Sequence, residues 1–284
     1  MQGGLTYQEA EKMPSRLFRV AALAAVVGAL AAGPAAAAPS WAPASNAAIH
    51  PGVQTFTEGA QCTANFVFYD SSNVYLGQAA HCSGTGSATD TDGCTSASLP
   101  IGTPVDIGGS KPGTLVYNSW LTMQAHGEGN ADTCAFNDLA LVEVDPADAG
   151  RVNPSIPFWG GPTGVHSGGT ATGDTVLSYG NSELRGGVTQ LSPKQGKSVG
   201  DDGNGWSHTV YTVTPGIPGD SGSAFLDASG KALGVLSTVA IAPLALSNGV
   251  GDIAKELAYL NSTGGFSVTL ASGTESFRGP LLPI

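Results

Sequence analysis

The 284-residue chain has little charge. Lys, Arg, Asp and Glu make up 12% of it, against an ordinary share of ~25%. Only 11 residues are basic against 22 acidic. A chain this poor in cations has no electrostatic footprint for nucleic acid. Cysteine is scarce as well, limited to Cys62, Cys82, Cys94 and Cys134. No pair stands at Cys-x-x-Cys spacing and the five histidines are scattered, which argues against a structural zinc site. Nor does any apolar run approach the ~20 residues that cross a bilayer, so the mature protein is expected to be soluble, without a membrane partner.

What the chain does have begins at its N-terminal end. Met13-Pro14-Ser15-Arg16-Leu17-Phe18-Arg19 is a basic start, residues 20–32 are apolar, and Pro34-Ala35-Ala36-Ala37-Ala38 is a run of small residues. Basic start, short apolar segment and Ala-x-Ala site together make a secretory signal peptide, placed at residues 1–38 with cleavage within 36–39. The alternative, a retained anchor, has too short an apolar stretch. Met13 is an alternative start, because Glu9 and Glu11 do not suit the beginning of a signal. Removing residues 1–38 takes out three basic and two acidic groups, leaving eight against twenty and a net charge of −12. In an exported chain four cysteines suggest two disulfides, with three connectivities open.

The roughly 245 residues that remain suit one large domain or two packed lobes. Residues 39–52 are rich in Pro and Ala and are expected to be a loose leader or short propeptide. Residues 65–69, 74–79 and 139–144 read as strands, the first two joined by the turn Asp70-Ser71-Ser72-Asn73. Residues 83–98, rich in Ser, Thr and Gly, read as a long surface loop. Pro146, Pro154, Pro157 and Pro162 break any regular element and mark residues 146–164 as a linker between two halves, 53–145 and 165–262. In the second half, residues 175–179, 209–213, 223–226 and 233–239 are short β-type runs. One helix stands out at 253–260, with Asp252 as N-cap and Ile253, Leu257 and Leu260 on one face. Many short strands and one late helix predict an all-β barrel or sandwich.

Three short motifs carry chemistry. Acyl transfer by a serine needs a base for the hydroxyl proton, a group that orients the base, and N–H donors for the developing oxyanion. Ser221 lies in Pro218-Gly219-Asp220-Ser221-Gly222-Ser223, where flanking glycines permit a tight turn; a plain Gly-Ser turn is the bland alternative in a chain with 41 glycines. His81 lies in Gln78-Ala79-Ala80-His81-Cys82, and Asp138 in Asn137-Asp138-Leu139-Ala140-Leu141. Taken singly, these are equally a surface histidine beside a disulfide and a solvated turn aspartate.

Taken together, Ala-Ala-His-Cys, Asp-Leu-Ala-Leu and Gly-Asp-Ser-Gly in the order His, Asp, Ser resemble the chymotrypsin-like (trypsin-fold) serine proteases, in particular bacterial secreted members. The resemblance covers roughly residues 53–261. It implies two six-stranded Greek-key β-barrels with a C-terminal helix and a catalytic triad in the cleft between the barrels. His81 is then general base and acid, Asp138 its orienting group, Ser221 the nucleophile, and the N–H groups of Gly219 and Ser221 the oxyanion hole. Ser237 matches the serine that supports the buried aspartate, or is an ordinary strand serine. The resemblance also implies the pairing Cys62–Cys82, which leaves Cys94–Cys134. It implies a polypeptide substrate and no metal or organic cofactor. The sequence leaves the oligomeric state open, a monomer being expected.

The chain also departs from that pattern. No Ile-Val-Gly-Gly-like N-terminus exists to pair with Asp220, so another cation is needed if Asp220 is buried; Arg185 is the candidate, partial hydration of Asp220 the alternative. Pro215 stands where trypsin-type members carry an aspartate, and Val239 where open pockets carry glycine. A pocket formed by Pro215, Thr238 and Val239 is expected to favour cleavage after small or medium apolar residues. Ser223 replaces the last glycine of the usual motif. Residues 263–284 extend past the terminal helix, with three fates open: an extra strand, removal, or disorder. Two other functions fit the same residues: an inactive binding protein on this fold, and an esterase using the same triad.

Overall fold

The computed structural model describes residues 39–87, 89–239 and 246–281. The expected signal peptide lies outside them. The β-branched and aromatic runs, each cut short by Gly, Pro or Asn, form fourteen strands among the described residues. The first lobe holds β1 (Gln54–Thr57), β2 (Ala60–Thr63), β3 (Val67–Tyr69), β4 (Val74–Ala79), β5 (Pro104–Val105), β6 (Gly113–Asn118), α1 (Ser119–His126), α2 (Ala131–Phe136) and β7 (Leu139–Glu143). The second holds β8 (Thr175–Tyr179), β9 (Pro193–Asp202), β10 (Ser207–Val213), β11 (Ala224–Asp227), β12 (Ala232–Val239), β13 (Asn248–Asp252) and α3 (Ile253–Thr263), after which β14 (Thr269–Leu270) returns to the first lobe.

The second lobe closes as a six-stranded barrel in the order β10-β13-β12-β11-β8-β9. The first is a six-stranded sheet, β14-β3-β4-β7-β6-β5, with the β1–β2 ribbon bridged to it between Phe56 and Asp106. This is the two-barrel architecture with a C-terminal helix that the motifs implied. Alternation along β7 shows why its sequence is apolar throughout. Ala140 and Val142 face the interior of the first lobe, with Leu76, Leu115 and Met123. Leu139 and Leu141 face the other way, into a cluster shared with Leu177, Leu226, Val235 and Ile253 of the second lobe. Both faces of the strand are buried, so period-two polarity is absent. A separate cluster of Val176, Val210, Phe225, Leu233, Leu236 and Val250 fills the second barrel.

The structure adds elements that the sequence pattern did not reveal. Besides α3, two helices form in the first lobe. Asn118 caps α1 by accepting from the N–H groups of Trp120 and Leu121, and Asn130 caps α2 by accepting from those of Asp132 and Thr133. Residues 39–52 are packed rather than loose: Ile49 is fully buried and bridges Val152, and the Asn153 amide donates to Ala42 O at 2.6 Å. Of the fates open to the tail, the chain takes that of an extra strand. β14 pairs with β3, with Thr269 opposite Tyr69. The tail then crosses to the second lobe, where Gly161 N donates to Glu275 O and Arg278 N to Trp159 O. The proline-rich linker is anchored by Trp159, buried and donating through Nε1 to Ser178 O at 2.7 Å.

Candidate active site

Strand register brings His81 and Asp138 together. In the antiparallel pair β4–β7, Ala79 lies opposite Leu139. The chain leaving β4 and the chain entering β7 therefore meet at one edge. A single 3-10 turn, Ala80–Ser83, carries His81, and the Cys62–Cys82 disulfide ties that turn to β2. The second disulfide, Cys94–Cys134, ties the 83–98 loop to α2. Both pairings are those implied by the motifs.

Asp138 is 3% exposed and every polar atom it has is engaged. Its Oδ1 accepts from His81 N at 2.9 Å; its Oδ2 takes His81 Nδ1 at 2.7 Å and the Ser237 hydroxyl at 2.5 Å. Its backbone O accepts from Ala80 N at 2.8 Å and its N–H donates to Glu256 Oε1 at 2.9 Å. A carboxylate acceptor at Nδ1 requires the proton there, which leaves Nε2 as the basic nitrogen. Burial alone would lower the His81 pKa. The Asp138 charge and hydrogen bond outweigh burial, so it lies above the ordinary 6.5.

The turn that carries Ser221 belongs to the second lobe but is clasped by β2 of the first. Thr63 N donates to Ser221 O at 2.8 Å, and Gly219 O accepts from Thr63 Oγ1 at 2.8 Å and Gln61 Nε2 at 3.0 Å. Gly219 and Gly222 have φ of +91° and +86°. A Cβ at Gly219 would come within 2.1 Å of Gln61 Oε1, and one at Gly222 within 2.6 Å of Thr63 O, so both positions need glycine for conformation and for space. Pro218 O accepts from the Ser182 hydroxyl at 2.6 Å. In the same trans peptide the Gly219 N–H points the opposite way. Neither Gly219 N–H nor Ser221 N–H donates to a protein acceptor among the described residues. Ser223 is fully buried in the turn and donates through N to Asp220 O at 3.0 Å.

His81, Asp138, Ser221, Gly219 and Ser237 line one cavity of about 660 Å³. Among the described residues, Ser221 Oγ makes no hydrogen bond with the His81 ring; such contacts commonly tighten only when substrate binds. The cavity continues between Gly216, Ile217 and Pro218 on one wall and Leu236, Thr238 and Val239 on the other. Val239 lies near the rim at 43% exposure. Pro215 is not part of this lining. Counting back from Ser221 placed it there, but the loop turns its carbonyl away, to accept from Arg185 Nη2 and Lys194 Nζ at 3.3 Å each. Asn248 of β13, unmarked by any sequence motif, joins the two walls instead. Its Oδ1 accepts from Gly216 N at 2.9 Å and its Nδ2 donates to Thr238 O at 3.4 Å.

Asp220 is fully buried and finds its cation in Arg185, which pairs with Oδ2. A second cation, Lys194 of β9, lies 3.0 Å from the same oxygen with its side chain wholly buried. Burial pushes the Lys194 ammonium below its usual pKa; Asp220 pulls it up and Arg185 pushes it down again. Lys194 was missed because Lys194-Gln195-Gly196-Lys197 shows no alternation that marks a strand. Glu256 was missed although a signal existed: with Ile253, Leu257 and Leu260 it completes the inner face of α3.

No protein-family model matches the chain, and no curated protein matches it. Among solved structures, Thermobifida fusca protease A is 20% identical with a TM-score of 0.50, over 80% of this chain and 100% of its own. The chymotrypsin of Cellulomonas bogoriensis is 16% identical with a TM-score of 0.46, over 78% of this chain and 98% of its own. The first of these likenesses places the chain in the chymotrypsin-like, two-barrel fold.

Proposed function

We propose that this chymotrypsin-fold protein is an exported serine endopeptidase that cleaves through an acyl-enzyme. The observation that supports this reading most is the saturation of Asp138. One buried carboxylate holds the His81 ring by Nδ1 and its main chain by N–H, beside the cavity that Ser221 lines. In the proposed reaction His81 Nε2 takes the Ser221 hydroxyl proton as Oγ attacks the scissile carbonyl. The oxyanion is met by the free N–H groups of Gly219 and Ser221. The imidazolium, stabilised by Asp138, gives its proton to the leaving amine, and water activated by the same nitrogen releases the acid. Asn248 bridging the cavity walls, with the branched Val239 at the rim, supports cleavage after small or medium apolar residues. The two disulfides support a site of action outside the cell.

Fluorophosphonate labelling of the wild type and of Ser221→Ala, with a casein assay alongside, tests the reading. Labelling and cleavage present in the wild type and lost in the variant are expected. A wild type that takes no label would overturn the enzyme reading in favour of a binding protein. Ester turnover without casein cleavage would make it an esterase. Peptide-library profiling in which Arg or Lys dominates before the scissile bond would overturn the specificity.

A further inference from the structure

Glu256 is a fully buried acid that no step of the proposed reaction uses. It sits one turn into α3, whose start is fixed by Asp252 accepting from Lys255 N at 2.8 Å. Its neighbours on the inner face, Ile253, Leu257 and Leu260, are packed into the cluster shared by the lobes. A leucine would complete that face without burying an acid. Space for the carboxyl is kept open by Gly251, where a Cβ would come within 2.5 Å of Glu256 Oε1. What the acid reaches is the main chain of Asp138, whose buried N–H has Glu256 Oε1 as its acceptor at 2.9 Å. A buried N–H left without an acceptor is costly, so that oxygen favours this backbone conformation of residue 138.

We propose that Glu256 is the positioning residue of the triad, holding Asp138 by its main chain so that both carboxylate oxygens stay on His81. The inference rests on the reading of His81, Asp138 and Ser221 as catalytic. Asp138 is gripped at three points. Glu256 takes its N–H, Ala80 N donates to its carbonyl, and Ser237 and His81 take the carboxylate. Release of the first grip lets the residue turn about its own backbone and withdraw Oδ2 from Nδ1. The charged and titratable groups that face Glu256 are Asp138 at the head of β7, Asp252 at the end of β13 and Tyr117 on β6. Burial holds the Glu256 carboxyl well above its usual range, opposed by the Asp138 N–H and reinforced by the Asp138 and Asp252 charges. These surroundings favour the neutral form of the acid over the anion.

The test compares Glu256→Gln, which keeps an acceptor of the same reach, with Glu256→Met, which keeps the volume and loses it. Two readouts are used: kcat and KM against pH, and the His81 ring titration by NMR in a Ser221→Ala background, which needs no turnover. Glu256→Met is expected to lose kcat on the order of 10- to 100-fold, the scale of a small misplacement, with KM little changed. Its His81 titration and the acid limb of its rate profile should move to lower pH, because the imidazolium loses its carboxylate. Glu256→Gln should restore both. If Glu256→Met does not fold, Glu256→Asp, with its carboxyl withdrawn by one methylene, should show the same downward shift. An unmoved His81 titration in a folded Met or Asp variant would overturn the proposal, leaving Glu256 a stability residue. A wild type that neither labels nor cleaves would overturn the protease reading, while the His81 titration would still decide the role of Glu256.

Discussion

Replacing Asp220 by asparagine leaves two buried cations facing each other with no counter-charge. Arg185 is 7% exposed and Lys194 wholly buried. Removing one member of a buried ion pair costs about 3–5 kcal/mol, chiefly because the other charge stays behind unpaired. In Asp220→Asn the arginine cannot shed its proton, whereas Lys194, already pushed down by burial, can. With Lys194 able to release its proton, one stranded cation remains and the loss should fall within that range. Arg185→Met differs in kind. It leaves Lys194 and Asp220 as a balanced pair 3.0 Å apart, and Lys194 still donates to Pro215 O. It also removes the repulsion that depresses Lys194. Its cost should be about 1.5–3 kcal/mol, that of a lost charge-assisted hydrogen bond. Lys194→Met should behave alike. The double variant Arg185→Met/Lys194→Met strands the carboxylate and should cost more than the two single losses combined, by roughly 1–3 kcal/mol of coupling. Urea unfolding followed by tryptophan fluorescence measures all four proteins. An Arg185→Met loss equal to that of Asp220→Asn, or strict additivity in the double variant, would refute the view of one carboxylate shared by two cations. Because Asp220 joins Gly219 to Ser221, Asp220→Asn should also depress kcat in the fraction that remains folded.

Three further outcomes are expected. His81 must be neutral to act as base and its pKa lies above 6.5, so kcat/KM should be full at alkaline pH and fall with a midpoint above 6.5 as the pH drops; a midpoint below that value would remove the Asp138 contribution. Loss of the Cys94–Cys134 bond, which spans 40 residues, should cost about 4 kcal/mol on the chain-entropy model, checked by urea unfolding of Cys94→Ser/Cys134→Ser; an effect below about 1 kcal/mol would mean the 83–98 loop is held by its other contacts. Glu256 has a folded-state pKa above its unfolded value of 4.5, so the folded protein holds a proton that the unfolded chain releases. Stability should therefore decline as pH rises from about 4.5 toward the raised value, and Glu256→Gln should flatten that decline in a melting series across pH.

The three catalytic candidates were legible because each lies in a contiguous motif next to a strand end, and strand register does the rest. Ser237 was legible as a position on a strand that the same resemblance covers, and its hydroxyl meets Asp138. The helix at α3 was legible from its cap and apolar spacing, yet Glu256 on the same face was passed over because an acid is ordinarily read as solvent-facing. Asn248 and Lys194 reach the site by strand register, Asn248 of β13 lying opposite Val239 of β12 and Lys194 of β9 next to Gln195, which lies opposite Val213 of β10, a proximity that neither segment's own pattern reveals. Pro215 shows the converse error. An offset counted from Ser221 gives the right loop, but which side of the peptide faces the cavity depends on Thr214, whose φ of +55° turns the chain there. The helices α1 and α2 escaped notice because their signals are asparagine caps on short segments of weak amphipathicity.

The clasp of β2 on the Ser221 turn means that the proposed oxyanion donors, the N–H groups of Gly219 and Ser221, belong to neither lobe alone. Their aim depends on Thr63 and Gln61 across the seam, and Asp138 of the first lobe is in turn held by Ser237 and Glu256 of the second. A slight parting of the lobes would thus disarm the serine and, by drawing Ser237 and Glu256 away from Asp138, slacken the acid–base pair with it. On heating, activity should disappear at a lower temperature than the bulk of the β structure, as a latch slips before the door comes off its hinges.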